Sequence, residues 1–259
     1  LEPDLDRDVY LSAFGFGLKT ASTSQCRKVW LAARQNPDKA LIHARLLDLD
    51  HLRDTGKWET LEYRTADAPN PLVGPLRERP GTVILWQEID RILAYADPYG
   101  SSAHAGVERK FELVEEHLAM VFHRYMSGTT KPRHQRVAIS LNERPIDPWD
   151  PFCLDETGPE GTVVCREAEL RVPNSRGSGM APIKVVGYIL PRQDEFSSPE
   201  AWNRAAGPKK WNRSQGFYFY RGNRIIQNGG WSGLRTMDEH TKLARIAVEF
   251  DHRADAAFD

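Results

Sequence analysis

Four short runs in the first third of the chain have the length and composition of β-strands. They are VWLAA from Val29, ALIHARLLDL from Ala40, WETLEYR from Trp58 and TVILWQEI from Thr82. Turn residues in NPDK and DTGK separate the first three runs, which favours consecutive antiparallel strands. The segment APNPLVGPLRERPG from Ala68 is rich in proline and predicts a loop before the fourth strand.

One long amphipathic helix is predicted between Arg109 and Met126, where apolar residues recur every three or four positions. Ser127-Gly128 should end it. Strand patterns then return, so a second α+β domain should begin near residue 129. Its predicted strands are RVAISL, TVVCREAELRV, IKVVGYIL, the two halves of FYFYRGNRIIQ about a Gly-Asn turn, and KLARIAVEFD.

Composition excludes several classes of protein. The 35 basic and 36 acidic residues nearly balance, so no net field draws the whole molecule to nucleic acid or to an acidic membrane. The three cysteines form no C-x-x-C pair, and the histidines lack metal-ligand spacing, so we predict no metal site in the chain. No apolar run approaches the roughly 20 residues of a membrane span, and the acidic start LEPDLDRD differs from a signal peptide. These features predict a soluble, cytoplasmic protein.

The segment from Gly15 to Ser22, GFGLKTAS, is the first that indicates chemistry. Its two glycines lack Cβ atoms where a backbone must approach an anion, and the helix predicted to follow presents free N–H groups and a positive dipole end. It is therefore a candidate phosphate cradle. A Gly-x-Gly before a helix is also compatible with a tight loop packed on a sheet, and context must decide between the two.

The order of parts provides that context: a glycine box, three strands, a strand opened by GTVILW, a long helix, and a second domain with LNERPIDPWDPF. Together with FYFYRGNRIIQNGGWSGL and EHTKLARI, this order resembles the GHKL superfamily of ATPases, and most closely its prokaryotic MORC- and MutL-like members. The resemblance covers almost the whole chain. It implies an α/β (α+β) fold: the C-terminal part of a Bergerat-type α/β sandwich over residues 1–105, a connecting helix over 106–128 and an S5-like transducer domain over 129–259.

The resemblance also implies roles for individual residues. The residues that match the lid around the nucleotide phosphates are Gly15, Gly17, Leu18, Lys19 and Thr20. Thr82 matches a threonine near the adenine, and Lys242 matches a transducer lysine that reaches the γ-phosphate. A lysine suits that task as a mobile point charge on a long stem, although a solvated lysine at a strand edge is the other interpretation of Lys242. The implied ligand is ATP with Mg²⁺, in a protein that acts as a homodimer or with a partner subunit.

The chain departs from this family at its beginning. Family members start with a helix that carries a water-activating Glu and a magnesium-binding Asn, followed by an Asp-x-Gly-x-Gly motif that binds the adenine. No Asn precedes Gly15, and Asp-x-Gly-x-Gly does not occur in the chain. We therefore expect no catalytic residue and negligible hydrolysis by this chain alone. Either the sequence is a fragment or another chain supplies these groups, and the well-formed lid box favours a fragment over a degenerate protein.

A basic and aromatic stretch, RAAGPKKWNRS, is the remaining candidate site. Its basic side chains can bind a nucleic-acid backbone and its tryptophan can stack on bases. The candidate DNA contacts are Lys209, Lys210, Trp211 and Arg213. A solvated face around a loop anchored by tryptophan is the other interpretation. The sequence thus predicts an ATP-driven switch in prokaryotic DNA transactions or anti-phage defence, with a non-catalytic scaffold or DNA-binding module as the alternative.

Overall fold

A computed structural model of the protein describes residues 17–36, 41–92, 95–130, 135–156, 161–175 and 177–258. They form an α+β structure with mainly antiparallel sheets, which confirms the predicted fold class at that level. The chain divides into two compact units between Arg109 and Lys110. The finer division at 105 and 128 stays a prediction. None of the described helices combines the length and apolar character needed to cross a membrane.

The first unit contains a four-stranded sheet and the helices around it. Its elements are α1 (Gly17–Thr23), β1 (Cys26–Arg34), β2 (His43–Asp48), α2 (Leu49–Thr55), β3 (Leu61–Tyr63), α3 (Asn70–Glu78), β4 (Gly81–Ile89) and α4 (Ser101–Val121), which continues past Arg109. The strand order is β3-β2-β1-β4, and every neighbouring pair is antiparallel. The four predicted strands are confirmed, as is the consecutive antiparallel pairing of the first three; β4 pairs with β1 and not with β3.

The two faces of this sheet bury different clusters, because successive side chains of a strand point to opposite faces. Trp30, Ala32 and Leu46 lie on one face, where α3 packs against them. Val29 and Leu47 lie on the other face, with Trp86 of β4 and Leu52 of α2 beside them. The sheet is therefore the middle layer between α3 and α2.

The prediction of a proline-rich loop was wrong, because part of that segment forms α3. Pro71 lies in the first turn, where its missing N–H costs nothing, and Pro75 lies inside the helix. Leu72, Val73 and Leu76 are all buried in the core. Each such burial stabilises the fold by roughly 1.5–3 kcal/mol, and their sum exceeds the cost of about 3 kcal/mol for an interior proline.

Helix α2 was missed, because DTGK was interpreted as a turn between strands. The Asp48 side chain accepts hydrogen bonds from the backbone N–H groups of Asp50 and His51, which starts the helix. Gly56 ends it in the left-handed conformation at φ 67°. The turn signal in the sequence therefore marks the end of a short helix.

The second unit contains a five-stranded sheet. Its elements are α5 (His123–Ser127), β5 (Ser140–Leu141), β6 (Arg144–Pro145), β7 (Val163–Pro173), β8 (Met180–Ile189), α6 (Pro199–Ala205), α7 (Lys210–Ser214), β9 (Gly216–Arg221), β10 (Arg224–Asn228) and β11 (Ala244–Phe250). The strand order is β10-β9-β11-β8-β7, with β9 and β11 parallel and the other pairs antiparallel. The hairpin of β9 and β10 and the strands β7, β8 and β11 confirm their predictions.

Two boundaries in the middle of the chain differ from the predictions. The long helix is confirmed as α4, but it starts at Ser101, in a stretch with few apolar residues, and ends at Val121. A separate short helix, α5, follows it, and Gly128 ends that helix at φ 77°. The prediction of a strand over RVAISL was wrong for most of its length, since only Ser140–Leu141 pairs, with Arg144–Pro145. Val137 instead donates its backbone N–H to the Tyr125 carbonyl, which holds this segment against the helix.

We predict that Leu72→Ala destabilises the protein, because it leaves a cavity beneath α3, where Leu72 is 0% exposed. The free energy of unfolding should fall by about 2–5 kcal/mol in urea denaturation. Leu113→Ala is the matched control, since Leu113 is 64% exposed on α4, and it should change the free energy by less than about 0.5 kcal/mol. Equal effects would show that α3 does not pack as described.

Candidate nucleotide-binding site

The described part of the glycine box forms the start of α1. Gly15 lies outside the described residues. Gly17, Leu18, Lys19 and Thr20 are all exposed. A Cβ atom built on Gly17 would meet nothing within 4 Å, so close packing inside the protein does not require glycine there. Gly17 is therefore not explained by tight packing on the sheet, and the phosphate cradle stays a prediction.

The other end of α1 is fixed to the sheet. The buried Ser22 hydroxyl accepts a hydrogen bond of 3.0 Å from the indole N–H of Trp86 on β4. The Cys26 thiol donates to the Ser22 carbonyl at 3.3 Å, and burial raises the pKa of that thiol, which keeps it neutral. The helix is thus anchored at its C-terminal end and exposed at its N-terminal end. Sequence reasoning did not single out Ser22 or Trp86, because their contact joins residues far apart in the chain.

Thr82 lies on the same sheet face as this anchor. Side chains of β4 alternate, so Thr82, Ile84 and Trp86 share one face. The Trp86 end of the face packs against Val29, whereas Thr82 and Ile84 are exposed. The face on which α1 is anchored is therefore covered at one end and open at the end that carries Thr82.

Lys242 lies in the second unit, two residues before β11. It follows a 3-10 turn, Glu239–Thr241, and its ammonium forms an ion pair with the Glu239 carboxylate. The hydrogen bond from Lys242 lowers the pKa of Glu239. Lys242 is thus neither in the strand nor without a partner, and its predicted contact with a γ-phosphate stays a prediction.

The turn that carries Lys242 is held by a buried amide that sequence reasoning missed. Gln215 is 0% exposed, and its side-chain N–H donates to the Asp238 carbonyl at 2.9 Å. Its side-chain oxygen accepts from the Thr241 hydroxyl at 2.6 Å and from the Trp231 indole at 2.9 Å. A buried amide needs such partners, so Gln215 fixes the backbone on which Lys242 is mounted.

The basic and aromatic stretch is largely engaged within the protein. The Lys209 ammonium donates to the Asn228 carbonyl at 3.0 Å and to its side-chain oxygen at 2.8 Å, and burial lowers the pKa of Lys209. The Trp211 ring stacks on Trp202 with centroids 3.9 Å apart. These contacts favour the loop anchored by tryptophan, and that face of Trp211 is not available to a base. Lys210 and Arg213 are exposed, and their contact with DNA stays a prediction.

A cavity of about 510 Å³ lies beside the second sheet. Its aromatic wall is formed by Trp149, Phe152, Tyr188 and Phe196. Three of its polar residues are engaged with neighbours: Arg124 pairs with Glu249 at 2.5 Å, and the Asp150 carboxylate accepts two backbone N–H groups at 3.0 Å. Within the described ranges, no three His, Cys, Asp or Glu side chains cluster as a metal site requires.

His123, at the edge of this cavity, is a neutral structural histidine. Its Nε2 lies 2.9 Å from the Tyr220 hydroxyl, and both side chains are buried. Burial lowers the pKa of His123 to about 3 and raises that of Tyr220 well above its usual value. A group with this pKa is not a useful general base at neutral pH, so the pair holds α5 against β9 instead of activating a nucleophile.

We predict that His123 makes the protein less stable in mild acid. The unfolded chain takes up a proton near the ordinary pKa of 6.5, whereas the folded protein resists it down to about 3. This histidine therefore costs no stability well above pH 6.5. As the pH falls from about 7.5 to about 5, it should lower the free energy of unfolding by about 2 kcal/mol. His123→Gln should remove that loss, measured by urea denaturation at both pH values, whereas the exposed control His104→Gln should keep it. An unchanged pH dependence in His123→Gln would contradict the assignment.

Comparison with known proteins does not assign this chain to a family. No protein-family model matches the chain, and no curated protein matches it significantly. The resemblance to GHKL ATPases therefore depends on the motifs quoted from the sequence, and the function has to be argued from the residues of the two units.

Proposed function

We propose that this chain supplies the lid and the transducer of an ATP-binding conformational switch of the GHKL type. In this proposal the first unit is part of a Bergerat-type sandwich and the second unit is an S5-like transducer. A single structural observation supports this proposal. Helix α1 is anchored to β4 through Ser22 and Trp86, while its first described turn, which includes Gly17 of the glycine box, is exposed, and Thr82 is exposed on the face of β4 that carries Trp86.

The exposed turn of α1 fits phosphate oxygens chemically. The first N–H groups of a helix have no partner within it, and they lie at the positive end of its dipole. Lys19 adds a mobile cation on the same turn, and the space beside Gly17 lets an anion approach the backbone. The anchor at Ser22 allows the N-terminal turn to move toward or away from a bound nucleotide as a lid.

The residues of this chain do not by themselves form a binding site for Mg²⁺ or adenine. The glycine box and Lys242 match the phosphate-binding parts of the family, whereas no Asn precedes Gly15 and no Asp-x-Gly-x-Gly motif occurs in the 259 residues. We therefore assign no catalytic residue here. A polypeptide segment that carries these groups would complete the site and bind the Mg²⁺ that neutralises the phosphates.

Lys242 provides the sensing step of the proposed switch. Its ammonium pairs with Glu239, whose side chain is 61% exposed. An exposed ion pair is weak because water screens it, so exchanging Glu239 for a γ-phosphate costs little. Because Gln215 fixes the turn, a movement of Lys242 toward the phosphate would be transmitted to β11 and the transducer sheet.

We predict that Lys242→Ala weakens binding of a non-hydrolysable ATP analogue by about 10–100-fold, the loss of one charge-assisted contact. Binding of ADP should change by less than about twofold. The measurement is calorimetric titration with Mg²⁺, on a polypeptide that joins this chain to a segment carrying the missing Glu, Asn and Asp. Lys57→Ala, at an exposed lysine of the first unit, is the matched control. Equal losses for both nucleotides would exclude the sensing role, and no binding by the joined polypeptide would exclude the proposed function.

The non-catalytic alternative is a scaffold or a DNA-binding module, and its DNA-binding form depends on the exposed Lys210 and Arg213 of α7. If they contact DNA phosphates, replacing both by Ala should reduce the slope of log affinity against log salt by roughly 2. The double variant Lys57→Ala with Arg77→Ala removes the same charge from exposed positions of the first unit and should leave the slope unchanged. Equal slopes in a fluorescence-anisotropy titration of duplex DNA would remove Lys210 and Arg213 as DNA contacts.

A further inference from the structure

The strand β7 forms an unusually exposed edge of the second sheet. In the part of the chain that the structure describes, it pairs with β8 alone and lies at the end of the strand order. Every residue of Val163–Pro173 is exposed except Val172, which is half-buried. An edge of 11 residues presents a row of backbone N–H and C=O groups that another strand can pair with.

Features that block edge pairing limit the usable part of β7. The register with β8 shifts between Val164 and Arg166, and Pro173 at the far end has no N–H to donate. The segment between these features keeps a regular register, from Arg166 opposite Gly187 to Val172 opposite Ala181. A partner strand can therefore pair regularly only along this segment.

The two faces of this segment differ in chemistry. Ala168, Leu170 and Val172 point to the face on which Ile183 and Phe250 are buried. Leu170 is 55% exposed at the rim of that apolar layer. Glu167, Glu169 and Arg171 point to the opposite face, so apolar and charged side chains alternate along the edge.

Two-fold symmetry leaves few registers for a second copy of the strand. A two-fold axis perpendicular to the sheet keeps each side chain on its own face, so one residue of β7 must lie opposite itself. A charged residue on the axis would face a like charge, and Ala168 on the axis would place Glu167 opposite Glu169. Leu170 on the axis places Glu169 opposite Arg171 twice and Ala168 opposite Val172 twice, so the charges and the apolar groups both match.

We infer that β7 pairs antiparallel with β7 of a second copy of this chain, with Leu170 on the two-fold axis. The two five-stranded sheets then join into one continuous sheet, and its apolar layer runs across the axis through the two Leu170 side chains. The Arg171 guanidinium, which now contacts Glu169 of its own strand at 2.9 Å, lies opposite Glu169 of the other copy. This interface uses neither the lid nor Lys242, so it does not depend on the proposed function.

Charge reversal tests the register directly. Glu169→Arg places Arg opposite Arg twice, and Arg171→Glu places Glu opposite Glu twice. Each should raise the dissociation constant of the dimer by at least about tenfold, measured by sedimentation velocity without nucleotide. Glu169→Arg mixed with Arg171→Glu restores opposite charges at both positions, so the mixture should form a heterodimer, and the double exchange in one chain should form a homodimer again. Glu78→Arg, the same change at an exposed position of the first unit, should leave the dimer intact.

Each outcome decides the inference. A heterodimer from two variants that are monomeric alone supports pairing through β7, and it also shows that neither variant is misfolded. The inference is overturned if the chain stays monomeric at a protein concentration about 100 times a micromolar dissociation constant. It is also overturned if both single variants still dimerise. A tighter dimer in Glu169→Arg would instead indicate the register with Ala168 on the axis and would overturn the one inferred here.

Discussion

The second unit is organised around one buried cation, the guanidinium of Arg245. It is 0% exposed, and it donates to the carbonyl of Pro151 and, at 2.9 Å, to that of Ala205. Its carbon lies 5.5 Å from the ring centre of Trp149 and 5.4 Å from that of Trp211. A buried charge is costly unless such groups surround it, so the loop before residue 152, α6 and α7 must stay in place around β11.

The need to surround this charge explains why the cavity wall and the basic and aromatic stretch each place a tryptophan near Arg245. Trp149 belongs to the cavity wall and contacts Arg245, and it donates its backbone N–H to the Ala119 carbonyl of α4. Trp211 stacks on Trp202, and its ring centre lies 5.4 Å from the same guanidinium carbon. Aromatic residues that a sequence presents as a possible base-stacking surface are therefore used to cover an internal charge.

Sequence reasoning predicted most of the sheets, because strand-forming runs such as IKVVGYIL and FYFYRGNRIIQ are set by local composition and alternation. It failed where distant contacts override local signals. Pro75 suggested a loop, yet burial of Leu72 and Leu76 against the sheet maintains a helix. Val137 and Ile139 suggested a strand, yet that backbone bonds to a helix and to Ile146.

The candidate site was predictable only in part for the same reason. The glycine box and its helix follow from local signals, and the residues described from Gly17 onward are helical as expected. The groups that position the site, Ser22 with Trp86 and Gln215 with Thr241, join residues 64 and 26 positions apart. No local pattern reveals such pairs, because an isolated serine or glutamine looks like any other polar residue.

The pairing of Lys242 with Glu239 has a consequence for selectivity. The carboxylate is tethered three residues away, so it competes for the ammonium at a local concentration in the millimolar range or above. A group with several negative oxygens attracts the ammonium more strongly than a monovalent anion such as chloride, so it displaces this neighbour more readily. The tethered carboxylate would therefore bias Lys242 toward anions of high charge density.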